Sequence, residues 1–192
     1  MSKQDQKVED MQLADTDYCF HLSSYPIDMS SYLTLPHCAF DAVGIPYHRN
    51  SPVDHPNIIA HYALALWNQY LAPRDEYHSK AFLVQANWLV IHETRIGIDA
   101  GGWPITLSLP DVNTEGPWLS ALTQGCAISI LVRAYQLTHE RAFLEIASHA
   151  ARTFHLDILD GGVSAPVGKD GIFFEEVAVY PATHRLKGFI FG

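Results

Sequence analysis

From Asn57 onward, apolar residues recur at helical spacing. Ile59, Tyr62, Ala63, Leu66, Trp67 and Tyr70 follow an i, i+3, i+4, i+7 stripe. This predicts a first helix that Asp54 or Asn57 caps and Pro73 stops. A second helix is expected over about 76–94, carrying Ala81, Phe82, Val84, Trp88, Leu89 and Ile91. Gly97, Gly101, Gly102 and Pro104 then break the pattern, and 103–110 reads as an extended loop or short strand. A third helix is expected over 117–136 and, after a tight turn at Thr138-His139-Glu140, a fourth over 141–156. Gly161-Gly162, Pro166, Gly168 and Gly171 mark a loop with room for a hairpin, and a fifth helix is expected to start near Leu186. Ahead of the helices, 32–56 holds four prolines and alternates briefly, as a short strand or extended arm would.

The rhythm is two helices, a Gly/Pro loop bearing an aromatic, two helices and another such loop. Helix pairs of this kind build α/α solenoids and toroids. A closed ring of six pairs needs roughly 300 residues, so two pairs and a fragment give an incomplete α/α toroid. The alternative is a small open bundle stabilised by self-association into a homo-oligomer. The expected class is mainly α, with short strands or extended loops near the N-terminus and between pairs. The expected organisation is a polar tail over 1–31 and one domain over 32–192, cut short where the apolar run Phe189-Ile190-Phe191 has just begun.

Composition narrows the function. The apolar share is 48% and the charged share 17%, values of a globular chain. A net charge of −9 with no cluster of Lys and Arg argues against nucleic acid. Cys19, Cys38 and Cys126 form no CxxC pair, and no HxH or HExxH spacing occurs among eleven histidines, so neither a metal nor a cofactor is expected. No apolar run reaches the roughly 18 residues of a membrane span, and the polar start is no secretory signal; the default is a cytoplasmic protein.

The densest chemistry lies in Phe173-Phe174-Glu175-Glu176-Val177-Ala178-Val179-Tyr180-Pro181, followed by His184-Arg185. Carboxylates and phenols move protons, and the cations can hold an anionic substrate. If this stretch is extended, Glu175 and Glu176 point to opposite sides and one of them faces a cleft. Tyr180 is the nearest phenol, and His184 or Arg185 could lower its pKa. Three further places offer either packing or sugar contact. Trp103, on the loop Asp99-Ala100-Gly101-Gly102, either stacks on a pyranose or plugs the core. Trp118 and Gln124, in Gly116-Pro117-Trp118-Leu119-Ser120-Ala121-Leu122-Thr123-Gln124-Gly125, either line a sugar site or serve close helix packing. Arg133 either clamps a uronate carboxylate or reaches solvent.

Together, Gly116-Pro117-Trp118-Leu119-Ser120-Ala121-Leu122-Thr123-Gln124-Gly125, Ala127-Ile128-Ser129, Leu131-Val132-Arg133-Ala134-Tyr135 and Glu175-Glu176 with Gly188-Phe189 resemble the C-terminal domain of D-glucuronyl C5-epimerases. The resemblance is close over 100–192 and looser over 47–95. It implies an α/α-toroid domain that inverts C5 of glucuronate in a polymer such as heparan sulfate or its precursor, by proton abstraction and reprotonation from the other face. It implies Glu176 as a proton-transfer group; read with the residues around it, Glu175 and Tyr180 are the further proton-transfer candidates, and Trp103, Trp118, Gln124, Arg133, His184 and Arg185 the candidates for binding a uronate-containing polysaccharide or oligosaccharide. One departure stands out. The family's glutamates are followed directly by a catalytic Tyr-Pro, whereas here Val177-Ala178 take those positions and Tyr180-Pro181 lies three residues later. Two alternatives remain: a lyase or hydrolase, the latter using Asp99 or Asp111 with Glu176, and a non-catalytic glycan-binding domain.

Overall fold

The computed structural model describes residues 22–72, 74–112, 114 and 116–186. Among these, the fold is mainly α, with four α-helices and short strand pairs. The chain opens with a 3-10 turn (Ser30–Leu33) and an antiparallel meander of β1 (Cys38–Phe40), β2 (Pro46–His48) and β3 (Ser51–Asp54). Cys38 pairs with His48 and Phe40 with Pro46, and a bulge at Tyr47/His48 shifts the register toward β3. Then come α1 (Pro56–Leu71) and α2 (Glu76–Ile91), the hairpin of β4 (Thr94–Ile96) and β5 (Ala100–Gly102), α3 (Ala121–Thr138) and α4 (Arg141–Arg152). A second hairpin follows, β6 (Ser164–Val167) with β7 (Gly171–Phe174).

Local chemistry sets the boundaries. His55 rather than Asp54 or Asn57 stands at the start of α1, where Pro56 supplies a preset backbone angle at the first helical position. Asp75 caps α2, its carboxylate accepting from the His78 N–H at 2.9 Å. The helix ends at Ile91 instead of running to 94, because Thr94 has already joined the β4–β5 hairpin. Likewise α3 begins at Ala121 rather than 117. Trp118 and Leu119 form extended bridges to Ile105 and Ala178, and Ser120 caps the helix. The fourth helix ends at Arg152 and tightens into a 3-10 turn (Thr153–His155). Pro73, the polar segment 1–21 and the expected fifth helix beyond Leu186 lie outside the described residues.

Packing follows sequence order. Helix α1 pairs with α2 and α3 with α4, and α1 also packs on α3. The buried stripe of α1 (Ile59, Ala63, Leu66, Trp67) meets Phe82, Ala86 and Leu89 of α2 and Cys126, Ala127, Ile130 and Leu131 of α3. Trp67 and Phe82 contact at 5.0 Å between ring centroids. Two smaller apolar clusters, Ile105/Trp118/Val177 and Leu119/Ala121/Val163, seat the second hairpin against the lead-in to α3. No helix among the described residues is long and apolar enough to cross a membrane.

Candidate functional site

The second hairpin delivers the chain to Glu175 just past β7. The Glu175 N–H donates to the Val163 carbonyl (2.8 Å) and its carbonyl accepts from the Ala121 N–H (2.9 Å). Hairpin and helix α3 are thereby tied at one residue. The Glu175 side chain is 0% exposed. A carboxylate taken out of water needs donors, and four contacts supply them. Oε2 accepts from Thr183 Oγ1 (2.8 Å), from the Thr183 N–H (3.2 Å) and from the His184 N–H (2.9 Å), which also reaches Oε1 at 3.1 Å. His184 Nε2 lies 3.7 Å from Oε1. The turn at 183–184 is therefore folded onto Glu175. His184 holds a left-handed backbone (φ 49°), and its ring meets Phe173 edge-on at 5.1 Å.

Glu176 faces differently. Val177 on one side is buried with Ile105 and Trp118, and the Ala178 N–H donates to the Leu119 carbonyl at 2.9 Å. Between buried Glu175 and buried Val177, Glu176 is half-buried and has no hydrogen bond or ion pair among the described residues. The burial alternates as an extended segment demands. Of the two glutamates, Glu176 alone keeps a carboxylate open to a ligand.

Tyr180 is 77% exposed, on a turn with a cis Tyr180–Pro181 peptide, and contacts no cation among the described residues. The two groups expected to activate it are engaged elsewhere: His184 on Glu175 and Phe173, Arg185 in an ion pair with Asp111. Asp99, the other carboxylate considered for hydrolysis, pairs with Arg152 at 3.3 Å. Trp118 donates from its indole N–H to the Leu107 carbonyl (2.9 Å) and lines a cleft with Pro104, Pro117 and Ala178, the last of which stands two residues past Glu176 in sequence.

Of the remaining expected binders, Trp103 and Gln124 sit in the interior and Arg133 is half-buried. Trp103 is 1% exposed and donates from Nε1 to the Leu89 carbonyl (2.9 Å), so it plugs the core and leaves no face for a pyranose. Gln124 is wholly buried. Its Oε1 accepts from the Trp103 N–H (3.3 Å), and its Nε2 donates to the Gly101 carbonyl (3.1 Å) and Thr153 Oγ1 (3.2 Å). One amide thus joins β5, α3 and the turn after α4. Arg133 donates to Ser129 Oγ (2.6 Å) and to the Ser24 carbonyl (3.4 Å), and lies over the Tyr25 ring at 5.7 Å. Burial lowers the Arg133 pKa, opposed by the Tyr25 phenol; burial and the Cys126 thiol raise that of Tyr25.

Sequence reasoning missed one polar cluster. Glu93 and His149 pair at 2.9 Å, and Arg95 donates to His149 Nε2 at 2.8 Å. These residues fasten the β4–β5 hairpin to α4. The partners lie 56 positions apart, so no local spacing could announce them.

Comparison with known proteins now has a structure to rest on. The profile of the D-glucuronyl C5-epimerase C-terminus family matches residues 97–192, from the first hairpin through the Glu175–Glu176 segment. The chain belongs to that family. A D-glucuronyl C5-epimerase of Caenorhabditis elegans is 34% identical over 128 residues, covering 65% of this chain and 20% of that protein. The chain thus spans about a fifth of the length of this relative. The matched range takes in α3 and the Glu175–Glu176 segment.

Proposed function

We propose that this chain acts as an epimerase of the glucuronyl C5 type on a uronate-containing polysaccharide of the heparosan or heparan sulfate kind, without metal or cofactor. Family membership over 97–192, reaching through Glu176, carries the reading. The two helix pairs then correspond to an arc of an α/α toroid, with the hairpin ends as the rim where substrate lies.

The proton on C5 of a glucuronate is acidified by the neighbouring carboxylate. Removing it sends the electron pair into the C6 carboxyl, and a cation beside the enediolate stabilises it. Glu176 is the group for that transfer, being an ionisable side chain that nothing among the described residues occupies. The second group belongs on the opposite ring face, and Tyr180, exposed on the same stretch, is the candidate. Arg185 holds the substrate carboxylate by leaving Asp111. Exposed ion pairs are worth at most about 1 kcal/mol, so that exchange is cheap. His184 lends a ring nitrogen for hydrogen bonding, Trp118 the apolar wall, and Glu175 keeps the turn in place. Trp103 and Gln124 support this rim from within, while Arg133 ties α3 to Ser24 and Tyr25.

One observation favours a second reading, a glycan-binding domain without turnover. The position after Glu176, where the resemblance expects a catalytic tyrosine, holds Val177 at 1% exposure, packed on Trp118 and Ile105. Incubating the chain with a glucuronate polymer in heavy water separates the two. An epimerase replaces H5 by deuterium with the chain uncut, a lyase makes an absorbing double bond, and a binding domain retains polymer with H5 intact.

A further inference from the structure

Asp111 is presented by a turn that its own neighbours fasten. The 3-10 turn Pro110–Val112 closes with the Val112 N–H on the Leu109 carbonyl (3.0 Å), and the Leu109 N–H donates to the buried Thr114 Oγ1 (2.6 Å). Leu109 and Val112 both pack on the cluster of Ile105, Trp118 and Val177. Apolar side chains thus hold the turn against the residue that follows Glu176, while the Asp111 side chain stays 66% exposed. Arg185 comes from the other direction. Its turn is tied down by the Thr183 and His184 N–H groups on Glu175. The Arg185–Asp111 pair therefore joins two anchored turns, 74 positions apart in sequence, that flank the 175–177 segment. Among the described residues neither side chain has a second hydrogen-bond or charged partner.

This edge carries the carboxylates of Glu175, Glu176 and Asp111 and the guanidinium of Arg185, and Glu175 is spent on the 183–184 turn. A ligand that brings a carboxylate of its own has to take the guanidinium from Asp111, because both present the same planar pair of acceptors. We infer that Asp111 is a tethered competitor for the ligand's carboxylate: it holds Arg185 until a uronate displaces it, and so sets the affinity of this edge for uronate chains. The inference rests on the reading of this edge as a uronate site. A carboxylate built into the chain stands beside its guanidinium at a high effective concentration, which a dilute ligand has to overcome. Exposure limits the competition, since water and salt weaken the pair. Its strength corresponds to about a two- to five-fold loss of ligand affinity. A pair that served stability alone would leave the affinity for a ligand untouched.

The test is calorimetric titration of a purified glucuronate oligosaccharide into the full chain at low salt, where charge contacts are least screened. Asp111→Asn should tighten binding about two- to five-fold. Asp111→Glu, which keeps a carboxylate on the same turn, should bind as the wild type does. Arg185→Gln should weaken binding, and adding Asp111→Asn to it should restore nothing, because the contested group is gone. Asp99→Asn removes an equally exposed carboxylate, one paired with Arg152, and should leave the affinity unchanged. Each variant is checked for native circular dichroism. The inference is overturned if Asp111→Asn binds as the wild type does, if it gains as much on the Arg185→Gln background, or if Asp99→Asn gains equally; the oligosaccharide still binds in those cases, so the uronate reading survives them. Absence of binding in every protein overturns both. Binding that responds to Asp111 as expected without exchange at C5 removes the epimerase and keeps the competitor.

Discussion

Glu175 and Glu176 are neighbours with opposite tasks, and the division follows from what surrounds each carboxylate. Glu175 is enclosed and accepts from Thr183 and His184. Replacing it by Ala leaves those donors without an acceptor in a closed site, so Glu175→Ala should cost about 1–3 kcal/mol in urea unfolding. Glu176 has no such partners among the described residues, and Glu176→Gln should leave the unfolding midpoint essentially unchanged. Cys126 supplies a chemical check on the same interior. Burial pushes its thiol up to about 11, so in the folded chain at pH 8 it should resist alkylation and react only on unfolding. Mass spectrometry after iodoacetamide reads this directly.

At the scale of elements, the helices were legible because their apolar period is long and regular; α1, α2, α3 and α4 all fall where the stripes put them, within a few residues at the ends. The β4–β5 hairpin was not. Ala100-Gly101-Gly102 has poor strand propensity, and only the tertiary setting explains it. A Cβ on Gly101 would fall 1.9 Å from the Glu93 carboxylate, and one on Gly102 would fall 2.5 Å from the Gln124 amide. The strand is glycine because two side chains from outside it occupy that space. Gln124→Met keeps the bulk but abandons the bonds to Trp103, Gly101 and Thr153. It should cost about 1–3 kcal/mol, lowering the melting temperature by several degrees. The start of α1 carries a pH dependence. Burial, reinforced by His48, lowers the pKa of His55 below its ordinary 6.5. The unfolded chain therefore binds this proton at higher pH than the folded one, and stability should fall as pH drops through about 6.5. His55→Asn, whose side chain suits the start of a helix and does not titrate in this range, should show a shallower loss between pH 7 and 5 in parallel urea titrations.

Across the whole molecule, two helix pairs form the core and two hairpins gather the polar chemistry at its edge. The paired glutamates stood out in the sequence as a local motif, and so did their opposite directions. What could not be read was the company each residue keeps, which the fold decides. Trp103 and Gln124 stood open between sugar contact and packing, and they lie sealed among Leu89, Gly101 and Thr153. Arg185 and Asp111, separated by 74 positions, come together only through the 3-10 turn Pro110–Val112 and the turn after Pro181. On the proposed function, this edge moves the C5 proton of a glucuronate and Glu176 is a group that does it. The most direct test is deuterium incorporation at C5 of a glucuronate polymer, followed by NMR in heavy water, with wild type and Glu176→Gln side by side. Exchange is expected in the wild type, with a loss of about 10²–10⁴-fold in the variant, the usual share of a general acid–base group. Absent exchange in a wild-type chain that still binds the polymer, or equal exchange in both proteins, would contradict it.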